Sequence, residues 1–179
     1  DRLARHLVEK QKSWQEPDDR GQKAKQLVKG LEGDIRQARE KSSIPALQER
    51  LVAAKAELPK LEAERNKYTQ YYEVEMDRKQ CHLTHDGVAE AQRAAGLGSL
   101  YVGENMDLPH LLEQALRAHV VYQRDRDYVI MNSPDQMTGR TEPSVVIVDV
   151  FTGRPMVGRQ WSDGLHQACE AKEKVPIKQ

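Results

Sequence analysis

Aromatic residues make up only 5% of the 179, against 31% that are charged. So little core material beside so much charge does not suit one compact globule. A long solvated helical element explains the imbalance, because it exposes most of its surface. An excess of one charge is missing too: 28 Lys and Arg balance 28 Asp and Glu. That balance provides no broad basic field, so nucleic acid is not an expected partner. No run of about 18 apolar residues is present, so nothing here is expected to span a membrane. The opening DRLARHLVEKQ lacks the apolar core of a signal peptide. It also lacks an initiating Met, which fits a piece of a longer protein. Two cysteines, Cys81 and Cys169, form neither a disulfide framework nor a C-x-x-C site. They read as reduced, partly buried thiols of a cytosolic protein. There is no phosphate loop, nucleophile elbow or H-E-x-x-H, so no catalytic residue is nominated. His82, His85 and His166 lack the further convergent ligands a metal needs, and no metal site is expected.

What the chain does have is clearest at 145–167, VVIVDVFTGRPMVGRQWSDGLHQ. Residues 145–148 are apolar and β-branched, the pattern of a buried strand. Thr152-Gly153-Arg154-Pro155 turns the chain, and 155–159 leads as a short extended piece to Trp161. Ser162 or Asp163 caps a helix that runs through Leu165, Ala168 and Cys169. Upstream, 128–131 reads as the hairpin partner of 145–148. The link 132–143 is long, polar and turn-rich, and reads as mobile. A helix over 108–122, capped by Asn105 or Asp107, carries Leu108, Leu111, Leu112, Ala115, Leu116, His119 and Val120 on a broad apolar face. It is the expected core helix. Another helix starts at Thr84 and ends at Gly96. Before it, alternation at 71–76 and a return at 81–83 predict two short strands. Residues 174–179 read as one more extended piece.

The N-terminal third has a different character. Leu3, Leu7 and Val8 predict a helix over 1–12, and Pro17 followed by Asp18-Asp19 predicts a bend and a fresh helix start. Leu27, Leu31, Ile35 and Ala38 then form one apolar stripe. After Ser42-Ser43 and Pro45, Leu47, Leu51, Ala54, Leu58 and Leu61 form another, stepping by four and three. Two such helices around a short turn make an antiparallel hairpin whose charged faces are solvated. Gly30, Gly33 and Pro59 are expected to weaken or kink it. The expected fold class is α+β: a small antiparallel sheet packed with helices, plus a protruding, coiled-coil-like helical hairpin. The body takes 1–8 and 68–179, and the inserted hairpin 9–67.

Several separated motifs resemble the SecA preprotein translocase, within its preprotein cross-linking domain. His82-Leu83-Thr84 with Gly87 is similar to that family's L-T-x-x-G. Leu100-Tyr101, Asn105, Leu111, 115–119 (ALRAH) and Arg124-Asp125-x-Asp127-Tyr128-Val129 follow in the family's order. Residues 145–173 match almost continuously. The chain departs from the family in its long 132–143 link, where the family has a tight turn, and in Val150, where the family has Glu. The 9–67 hairpin looks like an insertion.

The resemblance implies a clamp that grips unfolded preprotein by its main chain, swings on two extended strands and works beside the remaining SecA domains and the membrane channel of the Sec pathway. Residues 174–179 resemble the returning strand of that stem, and the outgoing strand would precede Asp1. ATP and Mg belong to the intact parent, a peripheral protein at the cytoplasmic face of the bacterial plasma membrane; none is expected to bind this segment. Tyr128, Arg154, Arg159, Trp161, Val175 and Ile177 are the candidates for substrate-clamp or interdomain contact. Trp161 suits core or interface equally in kind, and the alternating charges at 124–127 read as a surface ion-pair cluster. The competing reading is a non-enzymatic interaction module that docks a protein through the hairpin.

Overall fold

The helix that opens the chain does not stop at Pro17. The computed structural model describes residues 1–96, 98, 103 and 106–178, and in it α1 runs unbroken over Arg2–Gln37. The expected fresh helix start is therefore absent. A proline inside a helix removes one hydrogen bond and costs about 3 kcal/mol, so something tertiary offsets it. Pro17 is buried and shares a cavity of about 100 Å³ with Leu58 and Leu61 of α2, Ile44–Arg65. Beside it, Asp18 pairs with Arg65 at 3.1 Å, and the Arg65 guanidinium lies 5.6 Å from the Trp14 ring centroid. Packing overrides local preference here.

The chain divides into two compact units, Gln11–Gln70 and Asp1–Lys10 with Tyr71–Gln179. The first is the helical hairpin. Asp18–Arg65, Arg20–Glu64 and Glu32–Lys55 pairs fix its helices antiparallel, and a single 3₁₀ turn, Lys41–Ser43, joins them. On α2 the less exposed positions are Leu47, Leu51, Ala54, Leu58 and Leu61, as the spacing predicts. On α1 they include Gly21, Ala24, Val28, Leu31 and Ile35. Leu27, expected in the stripe, is 49% exposed; one residue is about 100° of helix, which moves it to the flank. Gly30, Gly33 and Pro59 all stay within continuous helix.

In the second unit, β1 (Tyr72–Glu75) and β2 (Gln80–Leu83) pair antiparallel, Tyr72 opposite Leu83. The L-T-x-x-G motif then has two local duties. Thr84 caps α3 (His85–Ala95), its hydroxyl accepting from the Gly87 N–H at 3.0 Å. Gly87 itself faces the Tyr71 carbonyl so closely that a Cβ would lie 1.8 Å from its oxygen. Gly96, at φ 69°, closes the helix in the left-handed conformation glycine favours. Two expectations nearby, Leu100-Tyr101 in the motif series and Asn105 as a cap, lie outside the described residues.

Helix α4 (Leu108–Val120) is the wall both cores share. Leu112, Ala115 and Leu116 pack with Ala4, Leu7, Tyr72, Cys81 and Ala91. One turn on, Ala118 joins Val121, Tyr122, Tyr128, Val145, Leu165 and Cys169. Leu111, expected on the buried face, is 54% exposed, and Asp107 occupies the cap position without a side-chain capping bond. The three-stranded antiparallel sheet has the order β3-β4-β5, from Tyr128–Pro134, Thr141–Val148 and Pro155–Met156. The 132–143 link is strand at both ends and a turn only at 135–140: pairing continues to Pro134 opposite Thr141. The hairpin closes because the Asp135 carboxylate accepts from the N–H groups of Met137 (2.7 Å) and Thr138 (2.9 Å), while Gly139 takes φ 67°. Helix α5 (Leu165–Glu173) begins after Gly164 at φ 83°, without a capping bond from Ser162 or Asp163. Residues 175–178 form no strand.

Asp127 ties the end of α4 to the sheet. It is 4% exposed, not part of a surface cluster. Its Oδ2 accepts from Gln123 N–H at 2.8 Å and from Arg126 Nη2 at 2.7 Å, and Lys79 Nζ lies 3.4 Å from Oδ1. Its carbonyl accepts from the Val148 N–H at 2.9 Å. Burial pushes its carboxyl up, but the Gln123 amide, Arg126 and Lys79 together bring it below the ordinary aspartate value.

Two outcomes follow. Gly87→Ala should lower stability by about 3 kcal/mol in urea melts, because the methyl group overlaps a backbone carbonyl. Asp127→Asn should cost about 2 kcal/mol at neutral pH. A carboxyl with a depressed folded-state pKa stabilises above the unfolded value and loses that contribution as pH falls through the folded one. The difference between wild type and Asp127→Asn should therefore shrink below the ordinary aspartate pKa. A constant gap across the acid range would refute the charge-based account.

Candidate functional site

The far ends of β3 and β4, the loop after β5, helix α5 and the C-terminal segment border an open groove of about 640 Å³. Its polar lining is largely tied up within the protein. Ser133 and Ser144 hydroxyls lie 2.9 Å apart, and Lys178 Nζ donates to Ser144 Oγ at 2.9 Å. The Lys178 N–H reaches the Glu170 carboxylate at 3.4 Å. Glu170 is fully buried, and that burial pushes its carboxyl above the ordinary value. Burial pushes the imidazole of His166, 2% exposed, below the ordinary histidine value. Around the mouth stand Met137, Val157 and Ile177, all well exposed, with Arg159 beside Val157.

A smaller cleft of about 220 Å³ lies by Lys79, Tyr122, Asp127, Phe151 and Trp161. Trp161 packs its ring 4.8 Å from Tyr122 and edge-on to Tyr128 at 6.1 Å. Lys79 Nζ sits 5.2 Å from the Tyr122 centroid, a cation–π distance.

The six candidate residues divide. Arg159 and Ile177 meet at the groove. Tyr128, Trp161 and Val175 belong to one core cluster. Tyr128 is fully buried, its hydroxyl donating to Glu173 and accepting from Lys172 Nζ at 2.8 Å. It positions β3 against α5 and offers no surface to a partner. Trp161 is half-buried and Arg154 exposed on its turn, apart from the groove lining. Met137, Phe151, Val157 and His166 were not singled out from sequence as binding residues, though a signal exists. D-x-x-T-G-R occurs twice, at 135–140 and 149–154. Both copies fold alike: Asp149 N–H donates to Arg154 O at 3.0 Å as Asp135 N–H does to Arg140 O at 2.8 Å. Each aspartate carboxylate takes the N–H two residues on, and each puts a large apolar side chain in water, Met137 at 94% and Phe151 at 96% exposure.

This arrangement offers hydrogen-bond acceptors and apolar walls, which is the chemistry of binding. Burial pushes the Cys81 and Cys169 thiols up to about 12, so both are protonated and unreactive at neutral pH. Among the described residues no group of three or more His, Cys, Asp and Glu is placed to hold a metal ion. No helix among them is long and apolar enough to cross a membrane.

Comparison with known proteins identifies the fold's relatives. The chain is 51% identical over 106 residues to a protein translocase subunit SecA from Solibacter usitatus, covering 59% of this chain and 10% of that one. It is 48% identical over 113 residues to a SecA 1 from Rhodopirellula baltica, covering 63% and 8%. A SecA from Thermus thermophilus is 44% identical over 120 residues, covering 67% and 11%. The chain thus spans about a tenth of the length of the curated relatives it matches. The family description SecA preprotein cross-linking domain matches residues 38–170, a span that takes in α2 as well as the sheet. With that match over more than half its length, the chain belongs to the SecA preprotein cross-linking domain family.

Proposed function

We propose that this chain is the preprotein-binding part of a SecA-type, ATP-driven protein translocase, and that it grips an unfolded polypeptide by main-chain hydrogen bonds at a sheet edge. Family membership supports the general role. The observation that carries the finer one is the open sheet. Strand β3 is an outer strand over Tyr128–Pro134, and β5 covers β4 only at Ile147 and Val148. Unpaired strand edges bind another chain through its amides, whatever its side chains. An export substrate has no fixed sequence, so that indifference is what the task requires.

In the longer protein, ATP and Mg would be held by other segments, and the energy of hydrolysis would reach this unit through motion of its stem. It would then close on the substrate beside the membrane channel, at the cytoplasmic face of the plasma membrane. No G-x-x-x-x-G-K-[ST] occurs in these residues, so no step of nucleotide chemistry is assigned to them. The C-terminal segment from Lys174, which forms no strand over 175–178 here, would join the stem only when paired in the longer protein.

Asn132→Cys on β3 is exposed, and the two native thiols are buried. A photo-reactive maleimide there should form adducts with an unfolded preprotein and not with the same protein folded. Replacing alternate residues of the captured segment by proline removes amide donors and should weaken capture about tenfold. Equal labelling of folded and unfolded substrate would overturn the proposal.

A further inference from the structure

We infer that the groove beneath the β3–β4 turn is a docking slot for an apolar side chain of an extended polypeptide, with His166 Nδ1 accepting one main-chain N–H of the same segment. This rests on the preprotein-binding reading and adds to it a second point of attachment, adjoining the sheet edge at Ser133 and Pro134.

Three observations converge. Met137, Val157 and Ile177 come from three different segments, are 94%, 61% and 59% exposed, and line one concavity. Exposed apolar residues scattered singly need no explanation, but several rimming a single groove mark a binding surface. Methionine at the tip suits an occupant of variable shape, since its unbranched, polarizable side chain repacks easily. The second observation lies deeper. Among the described residues, His166 Nδ1 is the one buried side-chain nitrogen or oxygen without a hydrogen-bond partner. The serine hydroxyls, the Glu170 carboxylate and Lys178 beside it are all engaged. A buried polar atom left unpaired is costly, and because His166 is one of the groove's lining residues its Nδ1 points to a missing partner. In the tautomer that carries its proton on Nε2, Nδ1 is an acceptor and asks for an N–H.

The third observation is size. About 640 Å³ falls within the range of sites for small ligands or short segments. A second copy bound stably would need roughly 1,200–2,000 Å² of buried surface, far beyond one such slot. An apolar group and an N–H donor side by side are what one residue of an extended chain supplies. The occupant is therefore a polypeptide segment bearing Leu, Ile, Met or Phe.

The test uses the whole 179-residue chain and a short fluorescent peptide of alternating leucine and serine. A photo-reactive maleimide at Gln136→Cys reports the slot, and one at Asn132→Cys reports the sheet edge. The leucine–serine peptide should label at Gln136→Cys and bind about tenfold more tightly than a glycine–serine peptide. The double variant M137S/I177S, both changes at exposed positions, should remove that preference and leave labelling at Asn132→Cys intact. The wild type should bind a backbone N-methylated peptide more weakly than the plain one, and His166→Leu should abolish the difference. Labelling at Asn132→Cys with none at Gln136→Cys would sink the slot while leaving the general reading standing. Labelling at neither position would sink both. Undiminished discrimination in folded His166→Leu would remove the imidazole from the proposal.

Discussion

One buried carboxylate joins the helical and sheet halves of the body. Asp127 holds Arg126 and the Gln123 amide, approaches Lys79 from the β1–β2 turn, and through its own carbonyl anchors Val148 at the end of β4. Four parts of the chain, the end of α4, the β1–β2 turn, the start of β3 and the end of β4, are thereby fixed within a few ångströms of one another. A charge so enclosed is tolerable only because each oxygen is hydrogen-bonded or faces a cation. With that node in place Tyr128 enters the core under Lys172 and Glu173, and Trp161 closes over Tyr122 and Tyr128.

The body so fixed leaves its sheet unfinished. Among the described residues β5 is short and β3 is an outer strand, and such open edges recruit other chains. Under the proposed reading, the same openness is what captures an unfolded chain. The two D-x-x-T-G-R turns fit this picture: each backbone is internally braced by its aspartate and glycine, and each places one large apolar side chain in solvent. Bracing limits the entropy lost when such a tip meets a partner.

Much of the body could be read locally. Thr84, Gly87 and Gly96 bound a helix by capping chemistry that needs no distant partner, and the broad apolar face over 108–120 announces a core helix. The β-branched run 145–148 declares itself a buried strand. Elsewhere the local reading failed where a distant group intervened. Pro17 signals a break, yet it is buried against α2 and the helix continues. Leu27 and Leu111 fit their stripes by spacing, but exposure is set by the angle at which a neighbour packs. The 132–143 segment looked like a loop because polar strand residues and turn residues are alike in composition. Its aspartate and glycine in fact close a hairpin.

By itself, then, the sequence determined most of the elements and their order, the Thr84 and Gly96 ends of α3, and the family, since each of these follows from periodicity, local capping or a run of matching residues. Only the tertiary structure decided which apolar residues meet solvent, that Asp127 is a buried node, and that His166 and Ile177 share one groove. Those facts depend on groups far apart in the chain arriving at one place, and no local pattern of residues carries that information.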